Sequence, residues 1–472
     1  MGENMKKTKL KQLAPATKLL AGCVLALVTM TACVGCDNNE EADSVTPTFA
    51  NPIYSLVSAY GTTRYGEADP WVYLHSDGYY YYTATYGGVS SGFDRFVLRR
   101  AKTINLLDSA DEAEEATIIS ATSGTGTGNF TGIKKFLWAP EIHYINGTWY
   151  LFFTAVPNDG AYGSWGVKNF IAKCTDTNPL TGTWTLCGRM QAVYGDTFDE
   201  DAIDSSTSLD TMDVTQFRYV GDSSQAWLMN LDGTAFKVGD QWYYAWAENL
   251  YDGSWADEGE ESGDGVLTFG GVDHPDGAGT GAWSCILIGK VEDGSDFTHI
   301  THTRVLTAPQ YKWEWGEAVY DENGNVNSFE DTIVRSSAVN VNEGPAFLNR
   351  NGKVFLVFSA GPCDATYCLG MLTASEDDDL CDVASWTKST TPVFTTSVGN
   401  GVYGPGHCSF TTYKGYDVIV YHARQWPGLF SYYGRTTTYT TCTEGLYDPY
   451  RTGRAKVFTW KSDGTPNFGE AE

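Results

Sequence analysis

The stretch "VNEGPAFLNRNGKVFLVFSAG", from Val341 to Gly361, combines a polar corner with a hairpin. Glu343 stands directly before a Gly-Pro pair, and an Asn-Gly turn at Asn351 separates two largely apolar runs. An Asn-Gly pair between such runs is a strong signal for a two-residue β-hairpin. The stretch therefore predicts two antiparallel strands with a carboxylate at the start of the first.

The same pattern of a turn followed by an apolar strand occurs five times along the chain. The turns are spaced unevenly, roughly 60 to 110 residues apart, and helical periodicity is almost absent. Radial repetition of small antiparallel sheets is the pattern of a β-propeller. The sequence predicts an all-β fold, a five-bladed β-propeller of four-stranded antiparallel blades. The repeats are "DGYYYYTATY" from Asp77, "NGTWYLFFTAV" from Asn146, "GDQWYYAWAEN" from Gly239, "NGKVFLVFSAG" from Asn351 and "YKGYDVIVYHAR" from Tyr413.

A polar residue lies six to nine residues before the glycine of each turn. Each such residue would open the innermost strand of its blade, so we expect the five side chains to converge at one end of the central channel. Ordinary turn residues would also be polar and flanked by Gly and Pro, but five occurrences in one phase favour a functional site. The five are Asp69, Glu141, Asp232, Glu343 and His407, and Pro70, Pro140, Pro345 and Pro405 would fix the backbone beside four of them.

These repeats, read with further segments, resemble glycoside hydrolase family 43 from about Asn51 to Phe468. The resemblance implies a five-bladed propeller and an inverting glycosidase. It implies that Asp69 is the general base, that Glu343 is the general acid, and that Asp232 orients the acid and tunes its pKa. The further segments are "ADPWV", "WAPEIHYINGTWYLFFTA", "LDGTAF", "RVLTAPQYKWEW" and "GPGHCSF".

The chemistry of inversion requires the same parts. One carboxylate activates water on one face of the sugar, and a protonated carboxyl about 6.5–9.5 Å away protonates the leaving oxygen. A third carboxylate beside Glu343 would disfavour its ionised form and raise its pKa. We expect Asp69 to remain ionised in a wetter, hydrogen-bonded setting.

The remaining site residues keep alternatives open. The resemblance implies that Glu141 supports the pocket rather than transferring a proton. It also implies that His407 lies near the axis, where relatives place a calcium or sodium ion held largely through water. His407 would otherwise bind a substrate hydroxyl or form pocket wall, and the chemistry itself requires no cofactor.

Three further side chains are candidates for contact with the sugar. Trp138 and Trp71 adjoin the polar corners and would either stack on a sugar ring or pack in the core. Arg424 alternates with His422 on one face of the second strand of blade five, so it would reach the pocket.

The favoured function is an exo-acting glycosidase that removes terminal α-L-arabinofuranosyl residues from plant polysaccharides or their oligosaccharides. The "PQYKWEW" segment before the acid looks most like that of arabinofuranosidases. Alternatives are a β-xylosidase, another pentosidase or galactosidase of the family, or a non-catalytic glycan-binding propeller, although all three carboxylates are present. Gly- and acid-rich insertions between Tyr251 and Ser336 are expected to wall the pocket and favour exo action.

The amino terminus predicts export. Five Lys precede the apolar run "LLAGCVLALVTMTAC", which ends at Cys33. This is typical of a lipoprotein signal peptide. Residues 1–32 would be the signal peptide, 33–50 a flexible tether and 51–472 the catalytic propeller. Cys33 would carry the lipid that holds the protein on a membrane surface, either periplasmic or at the cell surface; Cys23 and Cys36 are the other lipidation candidates.

Charge and cysteine content limit the partners. The formal net charge of −27 becomes about −31 once the signal, with five Lys and one Glu, is removed. A nucleic acid would be repelled, whereas a neutral glycan would not. Eight cysteines remain beyond the tether, and an exported protein can oxidise them. Cys174 with Cys187, and Cys363 with Cys368 or Cys381, are the plausible local disulfides.

Overall fold

The computed structural model describes residues 45–54, 67–86, 93–122, 125–126, 130, 132–158, 166–193, 229–251, 268–269, 272–273, 282–315, 341–425 and 451–472. Within these residues the chain is built from short strands and three single-turn 3-10 helices, at Ile104–Leu106, Lys312–Trp315 and Val383–Ser385. The expected lipidation cysteines, the signal and the early tether lie outside the described residues, as do most of the insertions between Tyr251 and Ser336. Among the described residues, no helix is long and apolar enough to cross a membrane.

The strands form five antiparallel blades in chain order, which confirms the predicted five-bladed propeller. Blade one contains β1 (Glu67–Leu74), β2 (Tyr80–Tyr86), β3 (Arg95–Ala101), β4 (Glu114–Thr122) and the short β5 (Thr125–Gly126). Blade two contains β6 (Ile133–Ile145), β7 (Thr148–Pro157), β8 (Lys168–Cys174) and β9 (Thr185–Arg189).

The later blades follow the same order with additions at their edges. Blade three contains β11 (Asn230–Val238), β12 (Gln241–Tyr251), β15 (Ala282–Val291) and β16 (His299–Thr307), with β10 (Gln191–Ala192) parallel to β16. Blade four contains β17 (Asn342–Arg350), β18 (Lys353–Ala360), β19 (Cys368–Ser375) and β20 (Thr387–Lys388). Blade five contains β21 (Tyr403–Tyr413), β22 (Tyr416–Arg424) and β23 (Thr452–Val457). Two small hairpins complete the list, β13 (Thr268–Phe269) with β14 (Val272–Asp273) and β24 (Thr459–Trp460) with β25 (Pro466–Asn467).

The first strand of each blade contacts the first strand of the next, and β21 contacts β1 to close the ring. These five strands are therefore innermost, as the repeats predicted. Blade five departs from the four-stranded expectation, since its described sheet has three strands. The amino-terminal segment runs beside its outer strand instead, where the Ile53 amide donates to the Gly453 carbonyl at 3.0 Å. Pairing of the two chain ends thus fastens the ring.

The predicted hairpin turns join the first and second strands. At three of them both central residues have positive φ, the geometry of a type I′ turn, which suits the twist of the flanking strands. These pairs are Asn146 and Gly147, Asn351 and Gly352, and Lys414 and Gly415. Aromatic and aliphatic side chains of the second and third strands fill the space between blades.

The local disulfides considered from the sequence are wrong, because the five cysteines concerned carry free thiols. Cys174 ends β8, and β9 pairs with it in a register that sets Lys173 opposite Thr185. Cys187 is therefore displaced along the sheet from Cys174. The Cys368 thiol donates instead to the Ala360 carbonyl at 3.8 Å. Cys442 lies outside the described residues.

Candidate active site

Each innermost strand is interrupted by a β-bulge at its polar corner. A bulge bends the strand and re-aims one side chain. The bulge residue has a positive φ in every blade, which is costly for a residue other than Gly unless its surroundings hold it. The five are Asp69 (56°), Ala139 (43°), Asp232 (56°), Gly344 (55°) and His407 (45°).

Proline explains this geometry only in part. Asp69 and Ala139 precede Pro70 and Pro140, as the sequence analysis expected. Asp232 is followed by Gly233, however, and has the same φ as Asp69. The bulge itself therefore produces the positive φ, and a neighbouring proline is not required for it.

A ring of hydrogen bonds between blades holds the bulges in place. At four of the five junctions, the bulge amide donates to a side chain on the second strand of the preceding blade. These acceptors occupy equivalent positions, each paired with the residue just before its own blade's bulge. The bonds are Ala139 N to Thr85 Oγ1 (2.6 Å), Asp232 N to Thr154 Oγ1 (3.0 Å), His407 N to Ser359 Oγ (2.7 Å) and Asp69 N to His422 Nδ1 (3.1 Å).

The junction between blades three and four is the exception. Ala247 occupies the acceptor position there, opposite Leu231, and a methyl group cannot accept a hydrogen bond. The Gly344 amide donates instead to Asp232 Oδ2 at 3.1 Å. Because the Asp232 carboxylate takes the place of a side-chain acceptor at position 247, it is hydrogen-bonded to the peptide that directly follows Glu343.

Asp69 is held in its ionised form. Its side chain is 15% exposed, and burial alone would raise its pKa. His407 Nδ1, 3.1 Å from Asp69 Oδ1, and the nearby Arg451 guanidinium outweigh burial and keep the pKa of Asp69 well below its usual range. His422 Nδ1 also lies 3.5 Å from that oxygen, but it accepts the Asp69 amide and so cannot donate there.

Glu343 is partly exposed and is held towards its protonated form. Burial raises the pKa of Glu343 to about 7, and the negative charge of Asp69 adds to this effect. The Tyr367 hydroxyl, 2.6 Å from Glu343 Oε1, and Arg451 oppose it. The two carboxyl groups therefore have pKa values displaced in opposite directions, which is the arrangement of a base and an acid.

Asp232 is more deeply buried than either, with its side chain 5% exposed. Burial, followed by the charges of Glu343 and Asp69, raises the pKa of Asp232 well above its usual value. The sequence analysis expected this carboxylate to raise the pKa of Glu343. In the structure, burial and the charge of Asp69 raise the pKa of Glu343, and burial with the charges of Glu343 and Asp69 raises the pKa of Asp232.

Glu141 lies one step below this cluster. It is buried, and burial raises its pKa well above the usual value, which favours the neutral form. His143 Nε2 lies 3.1 Å from Glu141 Oε2, and burial lowers the pKa of His143 to about 3. Trp71 packs against the His143 ring at 4.8 Å and donates to the Ile142 carbonyl at 2.9 Å. Burial therefore disfavours charge on both members of this hydrogen-bonded pair.

The two remaining sequence candidates are mostly enclosed. Trp138 is 5% exposed and packs against Phe93 and Phe136. The Arg424 guanidinium is fully buried and donates to the Cys363 and Asp364 carbonyls at 2.6 and 3.2 Å. This placement gives Arg424 a role in holding the loop before β19.

The donors near the axis do not form a ready metal site. His407 Nδ1 is engaged by Asp69 and lies 3.9 Å from Asp232 Oδ2. Within the described residues, no three His, Cys, Asp or Glu side chains are arranged to hold one ion. An ion near the axis beside His407, held largely through water, stays a prediction.

Sequence reasoning missed several residues that the fold brings to the site. Thr85, Thr154 and Ser359 each stand seven residues after the glycine of their turn, so alignment of "TATYG", "FFTAV" and "VFSAG" would have revealed them. Tyr367 and Arg451 lie in connections between strands, where no repeat pattern marks them.

Comparison with known proteins now gives the family. A family model described as "Glycosyl hydrolases family 43" matches residues 62–261 and 301–466. The chain belongs to glycoside hydrolase family 43. The matched ranges contain the five polar corners, so the family 43 pattern and the site described above coincide.

Curated relatives carry more specific names. An extracellular exo-α-(1→5)-L-arabinofuranosidase of Streptomyces avermitilis is 31% identical over 89% of this chain. An α-L-arabinofuranosidase 43 of Humicola insolens is 30% identical over 89% of it. The chain spans 63% and 64% of the lengths of these two relatives.

A solved structure shares the same architecture. An α-L-arabinofuranosidase from Lactobacillus brevis aligns with a TM-score of 0.59 at 29% identity, covering 90% of this chain and 97% of that one. The Lactobacillus brevis enzyme therefore shares this fold over nearly the whole of its chain.

Proposed function

We propose that this protein is an inverting, exo-acting α-L-arabinofuranosidase of plant polysaccharides or their oligosaccharides. The observation that carries the proposal is the pair of carboxyl groups with opposite pKa displacements, Asp69 ionised and Glu343 protonated up to about pH 7. The arabinofuranosidase names of the relatives from Streptomyces avermitilis, Humicola insolens and Lactobacillus brevis support the sugar.

The proposed step is a single displacement. Asp69 takes a proton from water, whose oxygen attacks the anomeric carbon. The bond from that carbon to the glycosidic oxygen breaks, and Glu343 gives its proton to the leaving oxygen. Asp232 orients Glu343 through its bond to the Gly344 amide.

The other site residues surround the sugar in this proposal. Trp138 supplies an apolar wall, and neutral Glu141 a hydrogen-bonding floor. His407 keeps Asp69 ionised and has its second ring nitrogen left for a sugar hydroxyl, or for water that bridges to a calcium or sodium ion. Arg424 acts through the loop that it holds.

Localisation is part of the proposal. Two Streptomyces relatives are named extracellular enzymes, and the amino terminus here has the pattern of an export signal. We infer export and attachment to a membrane surface through a lipid on Cys33. Mass spectrometry of the mature amino terminus tests this, and an unlipidated chain beginning after Cys36 would overturn it.

A panel of chromogenic pentosides and hexosides tests the activity. We expect release from α-L-arabinofuranosides, with β-xylosides and galactosides slower by at least about tenfold, the scale of discrimination that pocket contacts provide. Proton NMR of the first product should show the β-anomer. Initial α-anomer would contradict inversion, and binding without turnover on every substrate would indicate a glycan-binding propeller.

Linear arabinan tests exo action. Viscosity and reducing sugar are followed together on the same sample. We expect arabinose release with little loss of viscosity, because a terminal sugar leaves the polymer long. A rapid fall in viscosity at low sugar release would show internal cleavage and would leave the base and acid assignments intact.

A further inference from the structure

The loop between β18 and β19 brings a tyrosine from blade four onto the proposed acid. The Tyr367 hydroxyl lies 2.6 Å from Glu343 Oε1, and the side chain is almost fully buried. Its ring stacks on His422 with centroids 5.4 Å apart and planes 11° apart. The face of Tyr367 therefore touches the residue that holds the Asp69 amide, and its hydroxyl touches Glu343.

Two glycines of the "YGPGH" segment make room for this loop. A Cβ on Gly406 would lie 2.2 Å from the Tyr367 ring, far inside contact distance. A Cβ on Gly404, where φ is +59°, would lie 2.1 Å from the Asp364 carbonyl oxygen. Arg424 holds the same loop by its carbonyls. The position of Tyr367 is thus fixed by blade five as well as by its own blade.

The hydrogen bonds that end at Glu343 run in one direction. The His407 amide can only donate, so Ser359 Oγ accepts from it at 2.7 Å. The Ser359 hydroxyl is then free to donate, and its interaction with the phenolic oxygen lowers the pKa of Tyr367. The Tyr367 hydroxyl in turn donates to Glu343 Oε1. Each group has one proton to give, so Oε1 can act only as an acceptor.

We propose that Tyr367 is a positioning residue that reserves Oε1 of Glu343 as a hydrogen-bond acceptor and so places the transferable proton on Oε2. This inference rests on the proposed acid role of Glu343. When Oε2 gives its proton to the glycosidic oxygen, the carboxylate left behind is already hydrogen-bonded at Oε1. The bond to Tyr367 is stronger to the charged carboxylate than to the neutral acid, so it favours proton transfer.

Leaving-group dependence tests the proposal. Tyr367→Phe keeps the ring and its stacking on His422 but removes the donor. Aryl α-L-arabinofuranosides with 2,4-dinitrophenol, 4-nitrophenol and phenol as leaving groups need increasing help from the acid. We expect kcat/KM to fall at least about tenfold for the phenyl substrate and less than about threefold for the dinitrophenyl substrate, within the range of general acid catalysis.

The pH profile gives a second readout. A donated hydrogen bond favours the ionised carboxylate and lowers its pKa. Loss of the Tyr367 hydroxyl should therefore raise the pKa of Glu343 and move the alkaline limb of kcat/KM to higher pH. Tyr421→Phe is the matched control, since its buried hydroxyl donates to the Glu472 carbonyl at 2.7 Å on the outer side of blade five. It should leave both readouts unchanged.

Equal losses on all three substrates, or an alkaline limb that stays in place, would overturn the positioning role. If Tyr367→Phe does not fold, Ser359→Ala leaves the phenol but removes its donor, and the same trends should appear in weaker form; their absence would also overturn it. Glu343→Gln separates the two proposals. If kcat/KM of Glu343→Gln does not depend on the leaving group, the acid assignment of Glu343 fails. If it does depend on the leaving group in Glu343→Gln but not in Tyr367→Phe, only the positioning role of Tyr367 is refuted.

Discussion

The junction between blades five and one differs from the junction between blades three and four in what holds the bulge. At the first, His422 accepts the Asp69 amide, and the Asp69 carboxylate is left to face the channel. At the second, Ala247 offers no acceptor, and the Asp232 carboxylate accepts the Gly344 amide. The residue at this position of the repeat thus decides whether the aspartate carboxylate faces the channel, as in Asp69, or accepts a backbone amide, as in Asp232.

The difference explains why two aspartates with the same φ of 56° have pKa values displaced in opposite directions. Asp69 is partly exposed and faces His407 and Arg451, so its charge is stabilised. Asp232 is enclosed between Glu343 and the blade-four backbone, so its charge is disfavoured. Local strand geometry sets where each carboxylate points, and the neighbouring blade sets its charge.

The largest expected effect comes from removing the charge at the first junction. Asp69→Asn keeps the backbone amide that bonds to His422 but cannot take a proton from water. We expect kcat to fall at least about a thousandfold, within the range attributed to general base catalysis, with an unchanged melting temperature. Asp382→Asn, at a surface N-cap where Asn serves equally well, is the matched control. Near-normal activity in a folded Asp69→Asn variant would remove Asp69 from the role of base.

Removing the charge at the second junction should have a smaller effect. Asp232→Asn retains an oxygen for the Gly344 amide, so we expect a loss of kcat on the order of ten- to a hundredfold from imperfect orientation of the acid. Loss of a negative group beside Glu343 can lower its pKa or leave it unchanged. We expect the alkaline limb of kcat/KM in the unmodified protein near the Glu343 pKa of about 7, and in Asp232→Asn it should stay or move to lower pH. A move to higher pH would contradict the arrangement of charges described here.

The propeller and its three carboxylates were predictable from sequence because each repeat signals its own hairpin. An Asn-Gly turn and a polar corner are local features, and Asp69, Asp232 and Glu343 lie seven to nine residues before the glycines of their turns. The bulges were less accessible, since Asp232–Gly233 produces the corner without proline. Positive φ at a non-glycine residue depends on the partner blade that stabilises it.

The partners of the carboxylates could not be predicted in the same way. Tyr367 and Arg451 reach the site from irregular connections, and their positions depend on contacts between sequence-distant segments. The bonds of Arg424 were equally hidden: its alternation with His422 gives no sign that Gly404 allows the Asp364 carbonyl close enough to accept from its guanidinium. The expected disulfides were wrong for a related reason, because strand register rather than sequence distance sets which thiols meet.

The junction between blades three and four can be given the side-chain acceptor that the other four junctions have. Ala247→Ser supplies a hydroxyl at the position that Ser359 occupies one blade later. We expect the Gly344 amide to divide its hydrogen bond between this hydroxyl and Asp232, and kcat to fall about three- to tenfold, equal to roughly 1 kcal/mol. Ala245→Ser, two residues earlier on the same buried strand, is the control for added volume. A kcat that falls equally in both variants would show that packing, and not the acceptor, is responsible.

The smallest expected effect on kcat comes from two junctions at which a threonine hydroxyl accepts the bulge amide. Comparing them distinguishes a role in stability from a role in catalysis. Thr154 accepts the Asp232 amide and Thr85 accepts the Ala139 amide, each from a buried position. Val has nearly the shape of Thr but no acceptor, so Thr154→Val and Thr85→Val should each lose about 1–3 kcal/mol of unfolding free energy by leaving an amide unpaired.

Only the first of these amides belongs to a proposed catalytic residue. The amide of Asp232 fixes the start of the bulge from which its carboxylate reaches Gly344, so Thr154→Val should also lower kcat by about two- to fivefold, equal to less than 1 kcal/mol. Thr85→Val should leave kcat unchanged at a temperature where both variants are folded. Chemical denaturation and kcat are measured on the same preparations. Equal kcat values with equal losses of stability would mean that the ring of hydrogen bonds supports the propeller alone and that Asp232 is oriented without it.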